Sequence, residues 1–358
     1  MRRVKKRLLI VIGCLGVGGA EHMIYELAKN VDRSQFEVNV LCYNPSKGTE
    51  EELQMEQVCS VTYLDTMGNI SPKCILSTLR AIRKLKPDIV HAHLGGVVFG
   101  AIWTLVFQKP LVITIHAKPQ ETFNRKIQML VKAALRCGKA KLVAVSAENE
   151  KLVKEYYQLD GIKCASVNNG IDLNRFFRRK HGCFTLVNAA RHNENKNQAS
   201  LIRCFAKLYQ EAPDIRLLLL GDGPDHEMLI QLASELGVAD AVTFTGNVIN
   251  TEDFYSVSDL YVQSSFTEAM PLSVLEAMAA GLPIVSTNVG GLPDVVQDNG
   301  ILVPAGDDDA LYAAIKQIYT QSKEATEAMG QASLQIVQDY SSEYMARAYE
   351  KIYLEMCK

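Results

Sequence analysis

Short apolar runs rich in branched residues alternate along the chain with longer stretches whose apolar residues recur at helical spacing. The short runs predict buried β-strands, and the stretches between them predict amphipathic helices. Continuous apolar strands that alternate with helices are typical of parallel sheets covered on both faces. The predicted strands are residues 8–12, 38–42, 89–91, 111–115, 142–145, 184–189, 217–220, 242–244, 260–262 and 284–286.

Both halves of the chain repeat this rhythm, which favours two doubly wound α/β domains over one large sheet. Residues 167–180 are the linker candidate, because they combine Asn168-Asn169-Gly170 with a basic tail. We therefore expect an N-terminal domain of residues 1–170 and a C-terminal domain of residues 171–340. A last helix, at about residues 344–356, is expected to pack back on the first domain as part of the segment 341–358.

Composition and charge narrow the class of protein. With 358 residues, 48% hydrophobic and 22% charged, the chain is long enough for about two domains. The net charge of −2 hides an asymmetry, since residues 1–175 carry 25 Lys and Arg against 16 Asp and Glu, and the remainder carries 13 against 24. This asymmetry indicates different partners for the two domains, or only a drift of charge between them.

Two further features bear on location. Nine cysteines without a Cys-x-x-Cys pair indicate a reducing cytoplasm and no zinc site. The apolar run 8–12 follows a basic N-terminus, as in a signal peptide, but a glycine-rich turn without a cleavage site follows it and favours a buried strand. The stretch 97–107 falls far short of the roughly 20 residues that a membrane span needs. We therefore expect no segment that crosses a bilayer.

Two glycine-rich loops follow predicted strands. Residues 13–21 precede a helix expected near Glu21, where backbone N–H groups favour an anion. Their spacing is not G-x-G-x-x-G, which argues against a dinucleotide oxidoreductase. The second loop is Gly221-Asp222-Gly223-Pro224. Each loop either lines a nucleotide site or forms only a sharp turn.

Two glutamates, Glu268 and Glu276, lie eight positions apart in the second half. Pro271 favours the start of a helix that carries Glu276 on its second turn. The N-terminus of that helix, which opens after Glu268, would suit a diphosphate. Taken alone, such carboxylates are more often solvated helix charges. The loop at 290–294, after the next strand, adds another place where backbone groups favour an anion.

These motifs, in this order and spacing, cover nearly the whole chain. They are the loop at 18–21, 88–93, 112–116, 169–172 with Phe176, Arg191 with Lys196, 221–224, Glu268 with Glu276, 290–293, and 300–304 with Asp307. Together they resemble family 4 of the retaining glycosyltransferases, also called group 1, which have the GT-B fold. The resemblance implies two Rossmann-like domains that face each other across a deep cleft. The first would bind an acceptor and the second a nucleotide sugar.

The resemblance also assigns roles to particular side chains. Arg191 and Lys196 would clamp the donor diphosphate, and Glu276 would accept hydrogen bonds from the ribose hydroxyls. Glu268 would lie beside the transferred sugar, and His116 would face that sugar from the end of a strand. The implied catalytic residues are His116, Glu268, Arg191 and Lys196. The implied donor-binding residues are Gly16, Gly18, Arg191, Lys196, Gly221, Gly223, Asn247, Val248, Glu268, Ala269, Met270, Pro271, Leu272 and Glu276.

His91 and His93 also end a strand, and we interpret at least one of them as structural, because His-x-His without a third ligand is weak evidence for a metal. The acidic run 307–309 is expected to cap a helix that starts near Ala310. Asp294 departs from the family pattern, which often has Glu there, and it is left outside the catalytic set.

The implied reaction is retaining transfer of a sugar from a nucleotide diphosphate, with uridine as the commonest base, to a saccharide or lipid-linked acceptor. Such reactions build cell-surface polysaccharides or glycolipids. The implied mechanism is front-face displacement without a metal or other cofactor, since Arg191 and Lys196 stabilise the leaving phosphate. Alternatives are a sugar-nucleotide epimerase or phosphorylase of the same fold, and a non-catalytic subunit that binds a sugar nucleotide. No nucleic-acid partner is expected.

Basic residues interleaved with apolar ones predict a peripheral site on an anionic membrane, at the inner face of a cytoplasmic membrane. The alternative is an ordinary surface helix whose apolar stripe faces its own sheet. The basic residues are Arg80, Arg83, Lys84, Lys86, Arg125, Lys126, Lys132, Arg136, Lys139 and Lys141.

Overall fold

Two parallel sheets organise the chain in the computed structural model, which describes residues 5–16, 18–66, 70–159 and 163–358. Residues 1–4 of the basic N-terminus and Val17 of the first glycine-rich loop lie outside the described residues. One compact unit comprises the chain up to residue 170 together with residues 342–358, and the other comprises residues 171–341.

The first unit is built on seven strands. They are β1 (Lys6–Ile12), β2 (Phe36–Cys42), β3 (Ser60–Tyr63), β4 (Ile89–His93), β5 (Leu111–Ile115), β6 (Ala140–Ala144) and β7 (Cys164–Ser166). All pairings are parallel and the sheet order is β3-β2-β1-β4-β5-β6-β7. The order in which successive strands are placed across the sheet therefore reverses between β1 and β4. Open α/β sheets bind their ligands at such a position.

Helices cover this sheet because their apolar stripes face it. They are α1 (Gly19–Asn30), α2 (Glu50–Val58), α3 (Pro72–Leu85), α4 (Val97–Phe107), α5 (Pro119–Thr122), α6 (Arg125–Arg136) and α7 (Ala147–Tyr157). Ser71, Asn124 and Ser146 accept hydrogen bonds from N–H groups in the first turns of α3, α6 and α7. The long apolar stretch forms α4, which packs in the core beside α6.

The second unit has six parallel strands. They are β8 (Thr185–Ala189), β9 (Arg216–Leu220), β10 (Val242–Gly246), β11 (Leu260–Gln263), β12 (Ile284–Thr287) and β13 (Gly300–Val303). The order β10-β9-β8-β11-β12-β13 reverses between β8 and β11. Its helices are α8 (Gln198–Tyr209), α9 (His226–Glu235), α10 (Thr251–Ser256), α11 (Leu272–Ala279), α12 (Leu292–Val295), α13 (Asp308–Thr320) and α14 (Lys323–Ile336).

The last helix, α15 (Ser342–Met356), belongs to the first unit and packs beside α1. The Asp32 backbone N–H donates to Glu350 Oε1 at 2.7 Å. Two tyrosine hydroxyls reach the buried sheet: that of Tyr349 lies 2.9 Å from Thr114 Oγ1, and that of Tyr353 lies 2.7 Å from His91 Nδ1. Buried polar contacts therefore fix the position of this helix along the sheet.

The predicted α/β fold class is confirmed, and all ten predicted strands are present. The pattern did not predict β3, β7 and β13, and each of these lies at an edge of its sheet. β3 and β7 are short edge strands that lack a continuous apolar run, whereas β13 contains the short apolar run Ile301-Leu302-Val303 and was missed nonetheless. Within the described part of the chain, no helix combines the length and apolar character needed to cross a membrane.

Candidate active site

The predicted donor-site residues of the second unit all follow strands. Arg191 and Lys196 follow β8, Gly221 follows β9, and Glu268 follows β11. These strands end at the same edge of the sheet, because they are parallel. The position between β8 and β11, where the strand order reverses, therefore brings the two cations and the carboxylate together.

The Lys196 ammonium and the Glu268 carboxylate form an ion pair across this position. Lys196 Nζ lies 2.6 Å from Glu268 Oε1, and the glutamate side chain is only 7% exposed. The same oxygen also accepts from Gln263 Nε2 at 2.7 Å and from Ser265 Oγ at 2.6 Å. Within the described residues Glu268 Oε2 has no hydrogen-bond partner, so one oxygen of a rigidly held carboxylate stays available to a ligand.

Backbone contacts hold the two loops that carry this pair. The Phe266 N–H donates to the Asn195 carbonyl at 2.8 Å, and Asn195 Nδ2 donates to the Thr267 carbonyl at 3.0 Å. Ser264 Oγ donates to the carbonyl of Lys196 itself at 3.0 Å. The geometry of Lys196 and Glu268 is thus fixed by the backbone rather than by the ion pair alone.

Arg191 differs from Lys196, because no described residue forms an ion pair with it. Its side chain is exposed and, across the described ranges, makes no hydrogen bond or ion pair. The loop at Gly221 packs against its backbone, and a Cβ at Gly221, where φ is +124°, would overlap the carbonyl oxygen of Ala190. A Cβ at Gly223 would likewise overlap the His192 carbonyl. Glycine is therefore required at both positions, because only a residue without Cβ lets these backbone segments approach so closely.

The N-terminus of α11 opens at the same edge. Pro271 is its N-cap residue, and no side chain caps the first turn. The Gly291 N–H donates to the Ala269 carbonyl at 2.7 Å, and a Cβ at Gly290 would overlap the Glu268 carbonyl. Glycine at 290 therefore lets the loop after β12 lie against the loop after β11. An uncapped helix N-terminus beside two cations is a favourable place for an anion.

Glu276 lies on the second turn of α11, as predicted, and is 8% exposed. Its Oε2 accepts from the Tyr255 hydroxyl at 3.2 Å and from Thr251 Oγ1 at 3.3 Å. Burial raises the pKa of this carboxyl, although Arg175 and these two hydrogen bonds act in the opposite direction. Oε1 has no hydrogen-bond partner in the described segments, so a buried carboxylate retains a free acceptor atom.

The remaining predicted donor residues of the second unit lie at the same edge. Asn247 is exposed and Val248 half-buried in the loop after β10, which pairs with Gly221 through the Gly246 carbonyl. Met270 and Leu272 flank the start of α11 and are buried. Asp294, the departure from the family pattern, is exposed on the short helix α12.

His116 and the first glycine-rich loop belong to the first unit, where they directly follow β5 and β1. His116 Nε2 lies 2.9 Å from His93 Nδ1, and burial lowers the pKa of His116 to about 4. His91 bonds through both nitrogens to Tyr353 and Thr114, so it is structural, as expected for at least one histidine of this motif.

Gly16 and Gly18 lie before α1. A Cβ at Gly16 would meet no atom, whereas one at Gly18 would overlap the Glu21 carboxylate. The Glu21 side chain thus folds over the N-terminus of α1, where an anion was expected, and burial raises its pKa. The Glu21 carboxylate can lie at this helix N-terminus because the N-cap residue, Gly18, has no side chain that would accept from the first N–H groups.

Sequence reasoning missed the polar residues that orient the two glutamates. Gln263 and Ser265 support Glu268, and Tyr255 and Thr251 support Glu276. A signal existed for Gln263, because an amide that ends a buried strand points to the ligand edge of a parallel sheet. Tyr255 lies in a short helix with no comparable pattern, so only the tertiary structure reveals its role.

Two family models match the chain in succession. The model described as Glycosyltransferase Family 4 matches residues 17–175, and the one described as Glycosyl transferases group 1 matches residues 172–335. The chain belongs to this glycosyltransferase family. The resemblance drawn from its motifs is therefore confirmed, and the two matches meet where the two structural units meet.

Curated relatives of this family member include enzymes with different acceptors. It is 30% identical to N-acetyl-alpha-D-glucosaminyl L-malate synthase of Bacillus anthracis over 240 residues, which is 63% of this chain and 62% of that relative. It is 25% identical to UDP-Gal:alpha-D-GlcNAc-diphosphoundecaprenol alpha-1,3-galactosyltransferase of Escherichia coli over 324 residues, 82% of each chain. The match to the malate synthase thus spans less than two thirds of that protein.

Among solved structures, that of Anabaena HepE in complex with UDP and glucose has a TM-score of 0.85 at 20% identity. The match covers 98% of this chain and 100% of that one. At this identity the likeness establishes the fold alone, and it agrees with the GT-B fold expected from the motifs.

The acidic run 307–309 has structural partners. Asp307 caps α13 by accepting from the Ala310 N–H at 2.9 Å, as predicted, and Asp308 pairs with Arg203 at 2.8 Å. Within the residues that the structure describes, no cluster of three or more His, Cys, Asp or Glu side chains could hold a metal ion.

We predict that Glu276→Gln stabilises the protein against heat at about pH 7.5 while it weakens nucleotide binding. Because the pKa of Glu276 is raised in the folded state, its negative charge opposes folding above that pKa. Glutamine keeps an oxygen that accepts from Tyr255 and Thr251 but carries no charge. Below pH 4.5, the ordinary value, the carboxyl is protonated whether folded or unfolded, so the gain should vanish.

Thermal unfolding at about pH 7.5 and again below pH 4.5 measures this effect. The matched control is Glu227→Gln, which changes an exposed glutamate of α9. A gain equal at both pH values, or a lower melting temperature at about pH 7.5, would contradict the prediction.

Proposed function

We propose that this protein is a retaining glycosyltransferase that transfers a sugar from a nucleotide diphosphate to a saccharide or lipid-linked acceptor. The observation that carries the proposal is the arrangement at the β8–β11 position. Arg191, the Lys196–Glu268 pair and the uncapped N-terminus of α11 lie at the same edge of the sheet, with buried Glu276 one turn along the helix. The set combines positive groups for a diphosphate with carboxylate oxygens for hydroxyl groups.

Each group has a task in the proposed mechanism. When the bond to the sugar breaks, negative charge builds on the departing phosphate, where Arg191, Lys196 and the N–H groups of α11 stabilise it. Glu276 Oε1 accepts from a ribose hydroxyl, and Glu268 Oε2 from a hydroxyl of the transferred sugar. The departing phosphate oxygen takes the proton of the acceptor hydroxyl, which attacks from the same face, so configuration is retained.

The proposed donor carries uridine diphosphate. Two relatives support this choice by their names or bound ligands: the E. coli galactosyltransferase is named for UDP-Gal, and HepE was solved with UDP and glucose. The same E. coli relative is named for an acceptor linked to diphosphoundecaprenol, which supports a lipid-linked acceptor here. The site would then serve the synthesis of a cell-surface glycan.

We predict that Arg191→Ala weakens UDP binding about 10-fold or more while the fold persists. Hydrogen bonds to charged groups contribute roughly 1.5–3 kcal/mol, and among the described residues the Arg191 guanidinium has no partner whose contact would be lost as well. Calorimetric titration of UDP measures the change, and Arg203→Ala, which removes a surface cation paired with Asp308, is the control. Equal affinities for the wild type and Arg191→Ala would remove Arg191 from the site.

A product assay distinguishes transfer from other reactions of the same fold. Release of UDP together with a glycosylated acceptor supports the proposal. An isomerised donor would identify an epimerase, and cleavage that depends on phosphate would identify a phosphorylase. Binding of donor without turnover across an acceptor panel would favour a non-catalytic subunit.

We propose that no metal takes part, and we expect full turnover in excess EDTA. The negative charge of the leaving group would be met by Arg191, Lys196 and the N-terminus of α11 instead of a divalent cation. The measurement is UDP release with and without chelator, and re-addition of Mg²⁺ or Mn²⁺ serves as the control. Loss of turnover in EDTA that either metal restores would contradict this mechanism.

We further propose that the first unit docks on an anionic membrane through exposed cations. The apolar stripe of α6 is not available for insertion, because Val131, Ala134 and Leu135 are buried in the core of the unit.

The exposed surface of α6 carries the candidate contact. Met129 is 65% exposed, and Arg125, Lys126 and Arg136 are exposed around it. Of the other predicted cations, Lys141 pairs with Glu355 and Lys132 lies against Tyr156 and Tyr157. The contact with the membrane would thus be mainly electrostatic, and Met129 would contribute its exposed apolar side chain.

We predict that the protein co-sediments with vesicles rich in phosphatidylglycerol at low salt and is released at high salt. Replacing Arg125, Lys126 and Arg136 by Gln should weaken this binding, since each cation near an anionic leaflet adds about 1 kcal/mol. Replacing three exposed cations of the second unit, Lys180, Arg216 and Lys323, is the matched control. Equal binding by both triple variants, or no binding by the wild type, would contradict the docking face.

A further inference from the structure

We infer that His93 is a positioning residue that fixes the proton of His116 on Nδ1, so that His116 acts as a hydrogen-bond donor and not as a base. The inference rests on the proposed function insofar as His116 contacts a substrate. His93 is the second histidine of the His-x-His motif and is fully buried.

The geometry of the two rings is specific. His93 ends β4 and is fully buried, and its Nδ1 lies 2.9 Å from Nε2 of His116, which directly follows the adjacent strand β5. The other nitrogen of His93, Nε2, is buried and has no hydrogen-bond partner in the described chain. Each ring therefore offers one nitrogen to the other, and a single proton lies between them.

The position of that proton follows from the cost of leaving a buried group unpaired. If His116 donated, neutral His93 would carry its own proton on Nε2, and a buried N–H would have no acceptor. If His93 donates from Nδ1, Nε2 is left with only a lone pair. Orphaned buried N–H groups are rarer in proteins than under-satisfied acceptors, so His93 is the donor. A charged His93 is disfavoured because burial holds its pKa well below the ordinary value.

This assignment determines what His116 can do. Its Nε2 lone pair is occupied by the His93 proton, so the neutral ring carries its own proton on Nδ1. Within the residues described, His116 Nδ1 forms no hydrogen bond, and the side chain is partly exposed at the end of β5. His116 therefore presents one N–H donor and no free lone pair to a ligand at this edge.

A neutral donor suits the proposed reaction. The sugar becomes positively charged in the transition state, and an imidazolium beside it would repel that charge. A neutral N–H can hold a sugar oxygen without this penalty. No basic nitrogen is required, because the departing phosphate takes the proton of the acceptor. His116 thus contributes orientation, and His93 keeps it in the tautomer that can donate.

The support for His93 extends through the sheet to the last helix. The His91 and His93 rings lie in contact with centroids 4.0 Å apart. His91 in turn is held at both nitrogens, at 2.7 Å from the Tyr353 hydroxyl and at 2.8 Å from Thr114 Oγ1. Because Tyr353 is on α15, the seating of that helix fixes His91, against which His93 packs.

The test combines nitrogen NMR with kinetics on the full chain labelled with ¹⁵N-histidine. The His116 signals are assigned by their loss in His116→Gln. In the wild type we expect His116 to be protonated on Nδ1 and unprotonated on Nε2 at neutral pH. In His93→Leu we expect a mixture of tautomers and a kcat lower by about 10- to 100-fold, by analogy with the loss of partners that orient metal-binding histidines. KM for the donor should change little.

His93→Asn is the matched variant, because its side-chain amide places an N–H near the position of Nδ1. We expect it to restore the wild-type tautomer of His116 and most of kcat. A wild-type His116 protonated on Nε2 would overturn the inference, and so would a His93→Asn variant as impaired as His93→Leu. The NMR result is independent of turnover, so a protein with the expected tautomer but no transferase activity would refute the proposed function instead.

Discussion

The contact between Lys196 and Glu268 is the interaction on which the candidate site depends. It joins the loops after β8 and β11, the two neighbouring strands between which the order of the second sheet reverses. Removing either partner would leave the other charge poorly compensated in a site where Glu268 is nearly buried. The surrounding hydrogen bonds from Gln263 and Ser265 leave one carboxylate oxygen free, which makes the pair suited to binding a ligand.

The same edge of the sheet holds groups whose arrangement costs stability. Glu276 is a buried carboxylate with a raised pKa, the Arg191 side chain has no partner in the part of the chain that the structure describes, and no side chain caps the N-terminus of α11. None of these features helps the unit to fold. Each becomes favourable when a molecule with a diphosphate and neighbouring hydroxyl groups binds there. Such a concentration of unsatisfied groups in one place is expected at functional sites.

The corresponding edge of the first unit differs, because hydrogen bonds between uncharged side chains hold it together instead of ion pairs. Burial lowers the pKa values of His91, His93 and His116, so these rings are neutral. Their contacts therefore depend on which nitrogen of each ring carries the proton. Tyr349 and Tyr353 extend this network to α15. A helix from the end of the chain thus contributes to the order of a histidine near its middle.

The amino-acid pattern was enough to predict the fold class, ten of the thirteen strands that the structure describes and the loops of the candidate site, because buried strands favour apolar runs and tight loops favour glycine. It did not reveal the edge strands β3, β7 and β13, of which β3 and β7 are short and lack such a run. The partners of Glu268 and Glu276 come from strand ends and helices up to 72 residues away in the chain. The carboxylate of Glu21 over Gly18, and the proton shared by His93 and His116, also emerged only when the fold placed these groups in contact. Local patterns record which residues are buried, whereas pairings between distant side chains depend on how the sheet orders its strands.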